Sequence, residues 1–370
     1  MTPVTEVAKF RLYPESMAAL STAGETASQP CAKKPFTRRA RPDRSQAIRR
    51  AVQLAFLALN IWIAAEFYFF VRQFETGAAV TFHRPAGVEG WLPIAGLMNL
   101  KYFFVTGDVP RIHPAAMVLL AAFLAVSLLF RKAFCGWLCP VGTLSESLWK
   151  LGRRTFRRNF RLPRWIDIGL RSLKYILLGL FAYAVASMPA DALAGFLQSP
   201  YGIVADVKML NFFRYLGVTA AVVLGVLVLA SVFVQNFWCR YLCPYGALTG
   251  LVSLLSPLRI RRDPVLCIDC AKCAKACPAG LSVDALVQIR SAECLGCLEC
   301  VAVCPAEGAL AMALVPARRT VPARAIAAGV VTLFLSFVLA AKLTGHWESP
   351  IPDDTYRELI PHVQEFSHPR

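Results

Sequence analysis

Five stretches of this chain are apolar for close to the length a helix needs to cross a bilayer, and no other feature narrows the fold as far. A hydrocarbon core about 30 Å thick takes about 20 helical residues. Residues 51–71, 114–130, 170–188, 215–234 and 325–344 come near that length. The second is short, and the third begins with Arg171 and Lys174, whose stems have to snorkel to the interface. Of the 370 residues, 56% are hydrophobic and 17% charged, where a soluble domain carries about 25% charged residues. That composition excludes a disordered chain and points away from a water-soluble enzyme. Fifty mostly polar residues precede the first stretch, so it is expected to be a span rather than a cleaved signal.

The positive charge is distributed unevenly. The 40 Lys and Arg exceed the 23 Asp and Glu by 17. Ten of the basic residues precede residue 51, nine lie in 131–164 and ten in 235–324. The intervening loops hold four (72–114) and one, Lys208 (190–213). With five spans the three rich segments share one side, which the positive-inside bias makes cytoplasmic. The expected arrangement has the N-terminus inside and the tail from Gly345 outside. The excess charge then reads as topology, with no nucleic-acid partner.

Eight of the 13 cysteines form two tandem runs, at 267–278 and 294–305. Both follow C-x2-C-x2-C-x3-C-P, the bacterial ferredoxin spacing. Soft thiolates at the two short spacings wrap three iron corners of a cubane, and the fourth cysteine reaches the neighbouring cluster. One [4Fe–4S] cluster is therefore expected on Cys267, Cys270, Cys273 and Cys304, and a second on Cys294, Cys297, Cys300 and Cys277. Zinc ribbons use two C-x2-C pairs, without this repeated four-cysteine run and its proline. The reducing side on which the charge bias places the loop argues against disulfides. Alternating segments flank the runs, Leu258 to Arg261 before and Leu310 to Leu314 after. They predict a short strand pair closing the module.

Four more cysteines belong to a rarer motif. Residues 135–144 (CGWLCPVGTL) match 239–248 (CRYLCPYGAL) at six of ten positions. Each copy follows a span and opens an apolar helical stretch, and each is preceded by an apolar non-spanning segment, 91–105 or 191–213. The membrane part thus reads as an internal duplication. Pseudo-two-fold pairing would gather Cys135, Cys139, Cys239 and Cys243 at the cytoplasmic surface. Four thiolates suit a third cluster, a thiophilic metal such as Cu(I), or a dithiol/disulfide couple. The alternative is that they line a tight turn after each span.

Weaker features remain. Glu66 lies inside the first span near its outer end, and an intramembrane carboxylate is a functional hypothesis by default. With His83 and His113 on the same side, it is a candidate relay for protons released from a quinol. The competing reading pairs Glu66 with Lys101 or Arg72. Cys31 receives no role, and the outer tail is expected to lie on the membrane or on a partner. The chain has no phosphate loop, dinucleotide fingerprint, C-x-x-C-H haem motif or nucleophile elbow.

Together the segments 135–142, 239–246, 267–278 and 294–305 resemble the membrane-bound polyferredoxins of the NapH, NosR and YccM kind, over residues 51–344. The resemblance implies a multi-pass protein of the bacterial inner membrane that passes electrons between the quinone pool and a redox partner it does not identify. Such a protein is an electron-transfer component of an oxidoreductase system, not a stand-alone enzyme. NosR-like members carry a large flavin-binding domain before the first span, where this chain has a fifty-residue polar tail. The fifth span and outer tail exceed a four-span NapH-like plan. A related CcoG-like branch carries comparable C-x3-C-P pairs and implies copper reduction or metal assembly. A redox sensor or scaffold is the third alternative. The expected fold class is a mainly α membrane protein with about five transmembrane helices and an inserted cytoplasmic bacterial 2[4Fe–4S] ferredoxin-like α+β domain. The expected divisions are a basic tail (1–50), a duplicated membrane domain (51–256), the ferredoxin domain (257–317), a fifth span (318–344) and a periplasmic tail (345–370).

Overall fold

The computed structural model describes residues 36–368, apart from 41, 158, 161, 316 and 318. Cys31 and most of the basic tail lie outside the described residues. A backbone in hydrocarbon has to satisfy its polar groups internally, and each apolar stretch accordingly forms helix. Helix α1 is Ser45–Glu75, followed by a 3-10 turn (Ala86–Trp91), α2 (Pro93–Thr106) and α3 (Pro114–Leu129). A single π-helical turn, Phe134–Leu138, leads into α4 (Pro140–Phe156), and α5 (Arg164–Ser187) follows. Next come α6 (Ala190–Gln198), α7 (Pro200–Ile203), α8 (Ala205–Arg214) and α9 (Val218–Phe233). A second π-helical turn, Trp238–Leu242, opens α10 (Pro244–Val252). The ferredoxin-like module holds β1 (Leu258–Arg262), α11 (Lys272–Ala276), α12 (Glu299–Ala302) and β2 (Leu310–Leu314). Helices α13 (Ala323–Leu343) and α14 (Asp353–Leu359) complete the chain.

By length and composition, α1, α5 and α13 can cross a membrane, and α8 with α9 make a fourth crossing if that pair, bent by 82°, is one span. The five apolar stretches are thus all helical, but not all full length. Helices α3 and α9 have 16 residues each, a rise of about 24 Å. Both are cut short because the chain leaves them through a left-handed residue, Arg131 (φ 62°) or Asn236 (φ 54°), and winds into the π-helical turn. Exposed Trp62, Ile176, Val226 and Leu335 on α1, α5, α9 and α13 give the membrane part an apolar outside, the surface a lipid solvent requires.

Helix α1 starts six residues before its apolar run because its polar first turns are buried. Ser45, Arg49 and Gln53 all face the interior. Strands β1 and β2 pair antiparallel, with Leu258 opposite Leu314 and Ile260 opposite Met312, so the alternating segments do close on each other. Their inner face joins one continuous core with Leu119 and Phe123 of α3, Phe134 and Trp137 of the first π-helical turn, and Phe334 of α13. Phe123 stacks on Phe134 at 3.9 Å between centroids. The ferredoxin-like module therefore shares a core with the helices that carry it and is not tethered by linkers.

At the opposite end the C-terminal segment folds back onto the chain itself, where the sequence pointed to the membrane or a partner. Tyr356, Leu359, Ile360 and Val363 bury with Phe67, Phe70 and Phe74 of α1. Lys208 Nζ of α8 donates to the Val363 carbonyl at 2.7 Å. The first half of the repeat is locked to the second by a small-residue contact. A Cβ at Gly152 of α4 would lie 2.0 Å from the Val232 carbonyl oxygen of α9, whereas one at Gly225 of α9 meets nothing within 4 Å. Gly152→Ala is expected to cost about 1–3 kcal/mol through overpacking and to lower the melting temperature in detergent, with Gly225→Ala unchanged or higher. Equal melting temperatures for the two variants would remove that contact from the account.

Candidate iron–sulfur centres

The C-x3-C-P geometry follows from its proline. Proline pushes the preceding residue to extended backbone and starts a helix well, having no N–H to satisfy. Cys139 (ψ 119°) and Cys243 (ψ 106°) are extended, with Pro140 and Pro244 opening α4 and α10. The turn before each is closed by an i→i−5 bond. Cys139 N donates to the Phe134 carbonyl at 2.9 Å and Cys243 N to the Trp238 carbonyl at 3.0 Å. The following glycine completes the turn, since a Cβ at Gly142 would meet the Cys135 carbonyl oxygen at 2.5 Å.

The two copies meet. Cys135 Sγ of the first lies 3.4 Å from Thr249 Oγ1 on the helix of the second. Cys139 has Cys135 and Cys243 as electrostatic neighbours, and Cys239 has Cys243, Cys139 and Cys135. All four cysteines line one cavity with Lys132 and Tyr245. Burial, reinforced by the neighbouring sulfurs, pushes the Cys139, Cys239 and Cys243 thiols up. A bound metal group would supply the free energy to deprotonate them.

The ferredoxin runs wrap their cysteines with a repeated backbone device. The second and fourth residues after the first cysteine are left-handed in both runs: Asp269 (φ 53°) and Ala271 (φ 53°), then Gly296 (φ 61°) and Leu298 (φ 59°). Left-handed backbone is costly for Ala and Leu and persists where the surroundings impose it. A small apolar cavity is lined by Cys277, Cys294, Cys297 and Cys300 together with Ile260 and Leu298. The proline-linked cysteine of the first run thus lies with three cysteines of the second. Conversely, Cys304 has Cys270 and Cys267 as electrostatic neighbours, and Cys273 has Cys304. Burial pushes the Cys297 thiol up to about 12, with Arg49 pulling the other way. Among the described residues no three His, Cys, Asp or Glu side chains converge on one metal ion. Thiolates on a single zinc converge within about 2.3 Å of one point. Four cysteines in the ferredoxin spacing, gathered in apolar surroundings, are the donor set of a [4Fe–4S] cubane.

The π-helical turns grip the second ferredoxin group from both repeats. Trp137 Nε1 donates to the Gly296 carbonyl at 3.1 Å, and Arg240 Nη1 to the Pro278 carbonyl at 3.3 Å. A Cβ at Gly136 would come within 2.5 Å of the Leu295 carbonyl oxygen. The Cys277/294/297/300 group therefore abuts the membrane-edge quartet. In the other group Cys270 is exposed. Arg49 of α1 ties the parts together, donating to the Gly136 carbonyl at 3.0 Å, to both Glu146 carboxylate oxygens and, at 3.3 Å, to Glu299 beside Cys300.

The cavity that holds the quartet has a volume of about 580 Å³ and reaches Glu66 and His83 at its other end. It follows one face of α1, from Phe56 to Glu66, a rise of about 15 Å. Neither proposed partner pairs with Glu66, and Lys101 instead caps α5 through the Val185 and Ala186 carbonyls at 3.0 and 2.9 Å. His113 does not face the cavity. It is buried behind Arg84, with Nδ1 3.1 Å from Arg84 Nη2 and 3.3 Å from Glu89 Oε1, and Nε2 2.8 Å from the Gly202 carbonyl. Arg84 also binds Asp206 at 2.6 Å. Burial disfavours the charged Glu89, but Arg84 and His113 overcome it and hold its carboxyl low. Sequence reasoning missed Arg49, Arg84, Lys132 and Glu146. The only signal was their place in segments whose basic residues were assigned to topology.

Comparison with known proteins bears on these groups. A family described as 4Fe-4S binding domain matches twice, over residues 112–159 and 216–262, each match spanning one C-x3-C-P motif. A 4Fe-4S dicluster domain matches residues 259–313. The chain is 51% identical over 326 residues to YccM of Escherichia coli (strain K12), whose name carries a provisional electron-transport role, covering 86% of this chain and 91% of YccM. It is 27% identical to the ferredoxin-type protein NapH of Haemophilus influenzae, over 45% of this chain and 55% of NapH. It is 33% identical to the regulatory protein NosR of Stutzerimonas stutzeri, over 43% of this chain and 22% of NosR. No solved structure matches the chain.

The Arg49 network has a pH signature. Burial opposes the charged Glu146, but Arg49 and Lys150 hold its carboxyl down to about 2, from 4.5. A carboxyl depressed in the folded state stabilises above its unfolded value and loses that contribution as pH falls toward the folded one. Glu146→Gln is therefore expected to lower stability near pH 7 by about 3 kcal/mol. The gap to the unsubstituted protein should narrow as pH falls below 4.5. Urea unfolding of the detergent-solubilised protein from pH 7 to 4 measures it, and a gap independent of pH would remove the ion pair as its cause.

Proposed function

Because the chain belongs to the family of membrane iron–sulfur electron-transport proteins typified by YccM, we propose that it carries electrons between the quinone pool and a soluble redox partner, using a third cluster on the C-x3-C-P cysteines and two ferredoxin clusters. The observation that carries this reading is the cavity running from Glu66 and His83 to Cys135, Cys139, Cys239 and Cys243. Its volume suits a mid-sized organic ligand, and Phe56, Ile63, Leu119, Phe334 and Val338 make its walls apolar. An amphiphile of the quinone class fits such a space. Oxidation of a quinol to a quinone releases two electrons and two protons. Sulfur ligands stand at one end of the cavity for the electrons, and a carboxylate and an imidazole at the other for the protons. His113, one side chain behind Arg84, extends the proton side of this reading.

When bound, iron–sulfur clusters supply one-electron transfer. The chain's own groups set where that happens. Cys277, Cys294, Cys297 and Cys300 sit against the membrane-edge turns, and Cys267, Cys270, Cys273 and Cys304 face outward through the exposed Cys270. A soluble partner is expected at that outward edge. With α3 and α9 counted as crossings, the chain has five spans. The basic bias then puts the ferredoxin module in the cytoplasm of a bacterial inner membrane and Glu66 toward the outside.

Anaerobic purification with iron and sulfide counts tests the clusters. About twelve irons per chain are expected, falling to about eight in the Cys139→Ser, Cys243→Ser double variant. Eight in the unsubstituted protein would end the third-cluster reading. For the quinone, a short-chain quinol should reduce the clusters, as read by EPR. Glu66→Gln should slow that reduction about tenfold, a transition-state loss of about 1.4 kcal/mol, and leave reduction by dithionite unchanged. Clusters that dithionite reduces and quinol does not would exclude the quinone pool as donor.

A further inference from the structure

Lys132 stands three residues before Cys135, is 2% exposed and lines the cavity at its four-cysteine end. Among the described residues its ammonium has no hydrogen-bond acceptor and no carboxylate within 4.0 Å. Two other cations at this junction are paired with carboxylates. Arg49, beside Cys297, binds Glu146, and Arg240, beside Cys277, binds Asp167 at 2.7 Å. The carboxylate nearest in charge to Lys132 is Glu293, which makes no direct bond to it and is shared with Lys174 at 2.6 Å and Tyr175 at 3.0 Å.

The place of the ammonium is defined. Lys132 Nζ lies 3.4 Å from the position a Cβ would take at Gly250 of α10, the residue after Thr249, whose hydroxyl approaches Cys135. It therefore reaches from the first repeat across the helix that the second C-x3-C-P motif opens. Cys239 and Cys243 are its electrostatic neighbours there. Glu293 is shared with Lys174 and Tyr175, so the positive charge at this end of the cavity exceeds the negative, and an anionic guest on the four sulfurs would balance it.

We propose that Lys132 is the counter-charge of the four-cysteine centre and sets its reduction potential. The inference rests on the reading that these cysteines hold a [4Fe–4S] cluster. Four thiolates around a 2+ core leave a net charge of 2−. Reduction by one electron makes this 3−, with no bond made and no proton taken up. A fixed positive charge favours the reduced form and so raises the potential. Lys132 is a positioning residue in this scheme and ligates nothing.

The test is EPR-monitored redox titration of the full-length protein in detergent, with dithionite as reductant and iron counted in each sample. Lys132→Met should lower the midpoint of one cluster so that its reduced-to-oxidised ratio at fixed poise falls at least tenfold, about 59 mV for one electron. The midpoints of the other clusters should stay in place. Lys132→Arg keeps the charge and should keep the midpoint. If Lys132→Met instead loses about four irons that Lys132→Arg retains, the same charge is acting as an anchor, which supports the proposal. Unchanged midpoints at full iron content in Lys132→Met, or equal iron loss in both variants, overturn it. Eight irons in the unsubstituted protein would remove the underlying cluster reading, and the proposal with it.

Discussion

The arrangement depends on a backbone constraint used twice: a cysteine held extended by the proline after it, at the end of a π-helical turn. Because Cys139 and Cys243 leave helical backbone, the N–H of each closes a wide i→i−5 turn and the next helix restarts at proline. Each restart redirects the chain at the end of an apolar helix and places two sulfurs at that edge. The turns also expose backbone and side-chain donors to the ferredoxin loops, through Trp137 in the first repeat and Arg240 in the second. Without a side chain at Gly136 the first turn packs directly on the Leu295 carbonyl. One local device thus gathers the four C-x3-C-P cysteines and seats the neighbouring cysteine group beside them.

The seat is lined with buried positive charge. Arg49, Arg131, Lys132 and Lys174 are almost completely buried between helices and ferredoxin loops. Arg131 donates to the carbonyls of Ser253, Ile289 and Ser291, binding α10's end to the approach to the second cysteine run. Burying a cation is costly unless it is paired or hydrogen-bonded, so a layer of them is poor design for an apolar interface. Beside anionic thiolate centres it makes physical sense. Some of the basic residues counted in the sequence's charge bias are therefore buried in the interior of the junction.

That double use marks the limit of legibility. The eight ferredoxin cysteines and the repeated C-x3-C-P motif stand out because ligand spacing is local in sequence, and the strand pair because alternation has a period of two. Helix was expected in all five apolar stretches and is found there. Their lengths were not legible. The ends of α3 and α9 are set by Arg131 and Asn236 turning left-handed, and neither residue type requires that conformation. The docking of Tyr356 onto Phe70 and Phe74 joins positions far apart in the chain, and no periodicity reports it. Lys132 and Arg49 carry the same side chains as solvated flank residues, and only their burial separates them. Glu66 and His83 line the cavity and His113 does not, a difference that no spacing in the sequence reports.

The two ends of the cavity have different electrostatic character. At the sulfur end the charged side chain lining the cavity is the cation Lys132. At the other end Arg84, Glu89, Asp206 and His113 form a closed network in which every partner is already engaged. His113 Nδ1 faces both a guanidinium and a carboxylate, so the ring can accept from Arg84 when neutral or donate to Glu89 when protonated. A network that keeps a partner for the ring in either state can gain or lose a proton without stranding a buried polar group. Such a network is stable beside the cavity, while Glu66 and His83, which line the cavity itself, remain open to a ligand. Between the two ends the cavity's walls are apolar, made by Phe56, Ile63, Leu119, Phe334 and Val338, so the groups that can handle charge are confined to its ends.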